Sequence, residues 1–205
     1  MHWNVYLETN FSLDFYGITK DPETKEFMII IEFASGGSLK NILSNNFKNI
    51  TWENKIRILG HLTLVLKSMH ELGYSHKNLH SGNILIYYDK YQCYFNVKIS
   101  DFGLSGPTNK QKPSGIYGIL PYIAPEVLIG EPYTPSSDIY SFGVIMAELS
   151  SGSLPFHDRK HDLNLALDIC NGLRPEFGYG TPEIYKKLAY RCMNANPNQR
   201  PTANE

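Results

Sequence analysis

The sequence predicts an α+β fold with a mainly helical C-terminal body and only a small β portion ahead of it. Beyond Gly37, apolar residues recur at helical spacing in segment after segment. The two runs before it, 15–19 and 27–33, are instead rich in β-branched and aromatic residues. Composition is even along all 205 residues, without internal repeats or low-complexity tracts, so one domain is expected.

The early runs flank Lys20-Asp21-Pro22-Glu23-Thr24-Lys25, whose Asp-Pro step signals a turn, and together they read as a β-hairpin. Gly36 and Gly37 break the strand, and Ser38 is placed to cap a short helix carrying Leu39, Ile42 and Leu43 on one face. A long helix is expected from Thr51 to Leu72. Its stripe is Ile56, Leu59, Thr63 and Leu66, with Leu62 and Met69 beside it and Gly73 as the stop. The runs from Ile84 to Tyr88 and from Tyr94 to Ile99 bracket Asp89-Lys90-Tyr91-Gln92 and read as a second hairpin. Its strands run antiparallel, so Asn83 and Asp101 at the open end should lie side by side and could share a metal ion.

From Leu104 to Tyr122 the chain is rich in Gly, Pro, Ser, Thr and Lys without periodicity, as a loop is; its hydroxyls are Ser105, Thr108, Ser114 and Tyr117. Helical patterning resumes with Ser136 or Ser137 as cap and Ile139, Phe142, Met146 and Leu149 on one face, ending at Gly152. A shorter helix gathers Leu163, Ala166, Leu167 and Cys170. The last one opens with Thr181 as cap and Pro182 at its first position, before Ile184, Leu188 and Cys192.

A formal net charge of -1 gives no general attraction to nucleic acid or anionic membrane, and neither partner is expected. The longest apolar run, Phe27 to Ile31, is far too short to span a bilayer. Cys93, Cys170 and Cys192 are few, odd in number and widely spaced, which suits packing roles in a reducing compartment; a cytoplasmic location is expected. His76 and His80 lie four apart but in a loop, and are not read as a zinc pair.

Five motifs follow one another in a telling order. They are His76-Lys77-Asn78-Leu79-His80-Ser81-Gly82-Asn83, Asp101-Phe102-Gly103, Ala124-Pro125-Glu126, Asp138-Ile139-Tyr140-Ser141-Phe142-Gly143, and Arg200 within Asn196-Pro197-Asn198-Gln199-Arg200-Pro201. Any one is a short pattern; their conjunction resembles the protein kinases, closest to the tyrosine-kinase-like group on Gly36-Gly37-Ser38-Leu39 and His80-Ser81-Gly82-Asn83. The resemblance implies a protein-kinase-like fold: residues 1–34 would be a truncated β remnant of the N-terminal lobe with the hinge, and 35–205 a mainly helical C-terminal lobe. It also implies ATP and Mg2+ as cofactors, with phosphoryl transfer to a protein Ser, Thr or Tyr. By that likeness the backbone of Glu32 and Ala34 would meet adenine, Ile31 would back the pocket, Ser38 would lie near the ribose and Leu85 would contact the nucleotide. Asn83 and Asp101 would hold the metal, and Asn78, His76 and Lys77 occupy the catalytic-loop positions. Glu126 with Arg200, and Asp138, would be braces.

Departures from the family pattern bear on function. Asn78 stands where the family has the aspartate that receives the substrate proton, and Lys77 replaces an arginine. Gly17 is the only glycine before Gly36, and the only early lysines, Lys20 and Lys25, fall in the predicted turn, so the glycine-rich loop and phosphate lysine have no counterpart. The expectation is a kinase-like domain that is inactive or strongly impaired; the alternative is a pseudokinase serving as a nucleotide-binding or protein-interaction module. A fragment with open strand edges is the third reading. His80 and Ile119 stand where serine/threonine kinases carry Lys and Thr, and substrate type and protein partner stay open.

Overall fold

The computed structural model describes residues 13–88, 95–107 and 115–205. Strands β1 (Phe15–Lys20) and β2 (Phe27–Ile31) form the expected hairpin, antiparallel from Lys20↔Phe27 to Phe15↔Ile31, with a register shift between Phe15 and Gly17. Its turn closes on Asp21, whose Oδ1 accepts from the Glu23 and Thr24 N–H groups at 2.7 and 2.9 Å. Every residue of β2 is exposed.

Helix α1 (Leu39–Asn46) is capped by Ser38, whose Oγ accepts from Asn41 N–H, and buries Leu39, Ile42 and Leu43 as the pattern predicts. Helix α2 (Trp52–Glu71) starts at Thr51, and its chain leaves through Gly73 at φ 76°. Leu59 and Leu66 of the predicted stripe are buried, as are Leu62 and Met69 beside it, and Ile58 and Val65 join them; Ile56, by contrast, is 54% exposed. This helix is apolar on more than one stripe, and packing against neighbouring elements selects which one is covered.

Two short strands, β3 (Tyr74–Ser75) and β6 (Gly106–Pro107), pair with each other. Between them, β4 (Ile84–Tyr88) and β5 (Phe95–Ile99) pair antiparallel with Ile84↔Ile99 and Leu85↔Lys98 opposite each other. Alternation sends Ile84, Ile86, Val97 and Ile99 into the core, and Leu85, Tyr87 and Lys98 to the other face. The turn predicted over 89–92, Cys93, Thr108 and Ser114 lie outside the described residues.

Helix α3 (Pro125–Leu128) leads to α4 (Pro135–Ser151), the central helix. Its cap is Thr134, with Pro135 in the first turn, rather than Ser136 or Ser137; Ser137 Oγ instead accepts from the Thr134 N–H at 2.9 Å, completing a capping box. Residues 137–150 are buried on all sides, and α4 ends at Gly152 in the left-handed conformation, φ 74°.

Helices α5 (Leu163–Cys170) and α6 (Glu183–Cys192) show faces rotated from expectation. Asp162 caps α5, which buries Leu165 and Ile169 and leaves Leu163 74% and Leu167 54% exposed. Pro182 precedes α6, Thr181 Oγ1 donates to Gly178 O, and the buried stripe is Tyr185, Ala189 and Cys192, with Ile184 81% exposed. Both helices are short and carry apolar residues on opposite sides, so spacing alone leaves the choice of face open.

α6 crosses α4 at Gly143, where an added Cβ would lie 2.7 Å from Met193 Cγ, 2.8 Å from Cys192 Cβ and 3.0 Å from Ala189 O. Gly143→Ala is therefore expected to cost about 1–3 kcal/mol through overpacking, read as a lower denaturation midpoint with unchanged helical circular dichroism. An unchanged midpoint would mean that the two helices separate freely. Among the described residues, no helix is long and apolar enough to cross a membrane.

Candidate functional site

The loop that begins at His76 is fixed from behind by one carboxylate. Asp138, buried in the first turn of α4, accepts from His76 N–H at 2.8 Å and Lys77 N–H at 3.0 Å, and lies 3.0 Å from His70 Nε2. Lys77 is held at φ 68°. Next to it, His76 is wholly buried, its Nε2 3.1 Å from Ser100 O while Nδ1 accepts from Asn78 N–H at 3.3 Å. That pattern requires the neutral ring protonated on Nε2, and burial pushes its pKa down accordingly. The imidazole also packs 5.5 Å from the Phe102 ring, centroid to centroid. His76 is thus held between two loops, with both ring nitrogens engaged.

Further along, His80 Nδ1 accepts from Gly82 N–H at 3.0 Å, and burial, with His76 second, lowers the His80 pKa to about 4. Ser81 and Tyr122 donate to the two oxygens of buried Glu148 at 2.7 and 2.6 Å, while burial of that carboxyl holds its pKa above the usual range. Sequence reasoning did not single out Glu148 or Tyr122: the first sits inside a helical pattern and the second at the end of a loop without periodicity, and only the fold brings them to Ser81.

Asn83 and Asp101 do meet at the open end of the β4–β5 hairpin. Asn83 Nδ2 donates to Asn78 O at 2.9 Å and lies 3.4 Å from Asp101 Oδ2. Asp101 itself sits at φ 60°, a conformation uncommon for a residue with a side chain. Asn78 joins them: its Nδ2 donates to Asp101 Oδ2 at 2.8 Å, while its Oδ1 is buried with no partner among the described residues. Exchanging the two amide ends would set Oδ1 against a carboxylate oxygen, so the donor orientation is the favourable one.

A divalent cation fits the remaining donors. With Nδ2 of Asn83 donating to Asn78 O, its Oδ1 stays available as an acceptor, so Asp101 and Asn83 offer a carboxylate and an amide oxygen, the hard donor class that Mg2+ takes. No cluster of three or more His, Cys, Asp or Glu side chains is placed to hold a metal among the described residues. Phosphate and water oxygens would therefore have to complete the coordination.

The residues assigned to the nucleotide lie along the other face of the same hairpin. Gly36 N–H donates to Ile86 O, Ile86 N–H donates to Gly37 O, both at 2.9 Å, and Ser38 bridges Leu85. This brings Ser38 and Leu85 together below the segment that carries Glu32 and Ala34. Ile31 is 47% exposed at the end of β2. On the far side, Glu126 and Arg200 form a two-pronged pair, Nη1–Oε1 and Nη2–Oε2 both 2.6 Å. Arg200 also donates to Ser136 O and Asn194 O.

A family model, the protein kinase domain, matches residues 7–205. The chain belongs to the protein kinase domain family. This kinase domain is 32% identical over 181 residues to a probable serine/threonine-protein kinase of Dictyostelium discoideum, covering 87% of the chain and 11% of that protein. It is also 32% identical over 179 residues to a putative serine/threonine-protein kinase/receptor of Acanthamoeba polyphaga mimivirus, covering 86% and 11%. A probable LIM domain-containing serine/threonine-protein kinase of Dictyostelium discoideum is 28% identical over 193 residues, 93% of the chain and 28% of that protein. The kinase domain thus spans about a tenth of the length of the first two relatives.

Proposed function

We propose that this kinase domain binds ATP with Mg2+ weakly, and that its phosphoryl transfer is strongly impaired, so that it works as a pseudokinase, a nucleotide-binding or protein-interaction module. One observation carries the reading: at the position of the proton-accepting aspartate stands an amide, Asn78, whose nitrogen already donates to Asp101 at 2.8 Å. An amide has no basic site at neutral pH, and this one faces the metal-binding carboxylate as a donor. The frame around it is intact, since Asp138, His76 and the Glu126–Arg200 pair hold the loops, which supports retained binding alongside lost chemistry. Gly36-Gly37-Ser38-Leu39 and His80-Ser81-Gly82-Asn83 support a place near the tyrosine-kinase-like group. Action in the cytoplasm goes with the free Cys170 and Cys192.

Calorimetry with ATP and Mg2+ tests the binding half. Heat of binding is expected with Mg2+, and Asp101→Ala should weaken it by about ten-fold or more, because a carboxylate ligand is lost. Unchanged binding in Asp101→Ala would remove Asp101 and Asn83 from the cation site.

A further inference from the structure

Lys98 is a basic residue in the middle of β5, on a strand whose alternate residues Val97 and Ile99 are core. Directly across the ladder is Leu85, so both side chains rise from the same face of the hairpin. The Lys98 side chain is only 12% exposed, and its ammonium contacts Glu32 Oε2 directly, lies 3.7 Å from Asp14 Oδ1, and sits 5.4 Å from the centroid of the Tyr87 ring. Asp14 and Glu32 are themselves tied together at the mouth of the β1–β2 hairpin: Glu32 N–H donates to Asp14 O at 2.8 Å, and Asp14 N–H donates to Glu32 Oε2 at 3.3 Å. A single cation therefore faces carboxylates from the chain on both sides of the hairpin mouth.

Among the described residues, little apolar packing orients that hairpin. All five residues of β2 are exposed, including Phe27, Ile29 and Ile31, so burial contributes little to fixing its angle to the body. The Lys98–Glu32 pair, with side chains 12% and 23% exposed, can supply what packing does not, because screening by water and salt is reduced there; Asp14, 58% exposed, adds less.

We propose that Lys98 is a positioning residue of the nucleotide site: by gripping Glu32 and Asp14 it sets where the backbone of Glu32 to Ala34 lies above Leu85. The proposal rests on the reading that ATP occupies this place, and it concerns no atom that touches the reacting phosphate.

Two measurements on the whole chain separate the possibilities. In the nucleotide-free protein, amide hydrogen exchange is compared for wild type, Lys98→Met and Lys98→Arg; Met keeps the apolar stem and removes the charge. Exchange in β1 and β2 should speed up about ten-fold or more in Lys98→Met, while α4 amides keep their protection, and Lys98→Arg should restore most of it. Calorimetry with ATP should then show affinity about ten-fold weaker in Lys98→Met, and near wild type in Lys98→Arg. Glu32→Gln should mimic Lys98→Met, and the double variant should be no worse than either one alone. Unchanged exchange in Lys98→Met overturns the clamp. Faster exchange with unchanged ATP affinity overturns the positioning role. If wild type binds no ATP, the nucleotide reading and the positioning role fall together, and the exchange result shows whether the clamp itself was real.

Discussion

Purified wild-type protein should transfer the γ-phosphate of ATP to a generic protein substrate far below ordinary kinase rates of about 1 per second, and Asn78→Asp alone should not restore them. Loss of a general base costs on the order of 10²- to 10⁴-fold, or ~3–5 kcal/mol of barrier, and an amide cannot stand in for it. The second half of the prediction comes from geometry. Asn78 Nδ2 lies 2.8 Å from Asp101 Oδ2, so Asn78→Asp replaces an attractive contact with two carboxylates at hydrogen-bonding range. Repulsion between two such charges is worth roughly 1–4 kcal/mol between fully solvated and partly shielded conditions. The substituted protein should therefore melt lower than wild type in chelator, and regain most of that loss on adding Mg2+, whereas wild type should respond to Mg2+ much less. Scanning fluorimetry with and without Mg2+ reads this, beside a radiolabelled transfer assay. Wild-type turnover near 1 per second would overturn the impaired-kinase reading. Equal melting of both proteins in chelator would mean that the Asn78–Asp101 contact contributes nothing.

Arg200→Ala should be among the most damaging single changes in the molecule. The Arg200 side chain is fully buried and Glu126 nearly so. Removing the guanidinium leaves the Glu126 carboxylate, Ser136 O and Asn194 O without their donor, and it also removes the cation 5.2 Å from the Tyr140 ring. Truncating one partner of a buried ion pair costs about 3–5 kcal/mol. For a domain of this size, that corresponds to a melting temperature lower by roughly 6–20 °C. Replacing both partners together, Glu126→Gln with Arg200→Met, should cost less than Arg200→Ala, because no unpaired charge is left behind. A loss below about 1 kcal/mol in Arg200→Ala would show that water reaches Glu126 and replaces the arginine.

Local signals were legible wherever one short-range rule applied. Ser38, Thr51, Asp21 and the stops at Gly73 and Gly152 behave as their residue types dictate, because capping and turn bonds join neighbours in sequence. The meeting of Asn83 and Asp101 also followed from sequence, since antiparallel pairing brings both ends of a hairpin together. Where a helix had apolar residues on more than one side, the rule ran out. Ile56 in α2, Leu163 in α5 and Ile184 in α6 fit a periodic stripe as well as the residues actually buried.

From the sequence alone came the order of the motifs and the amide at position 78, on which the proposed loss of the base rests, since both are properties of residue identity. Tertiary structure decided what those residues touch. That Asn78 donates to Asp101 instead of facing solvent, that Ser81 and Tyr122 converge on Glu148, and that Lys98 reaches Glu32, all join positions far apart along the chain. No local propensity encodes such contacts, because their distances are set by how the buried faces of α2, α4 and the β4–β5 hairpin pack, and a change of face would move every one of them.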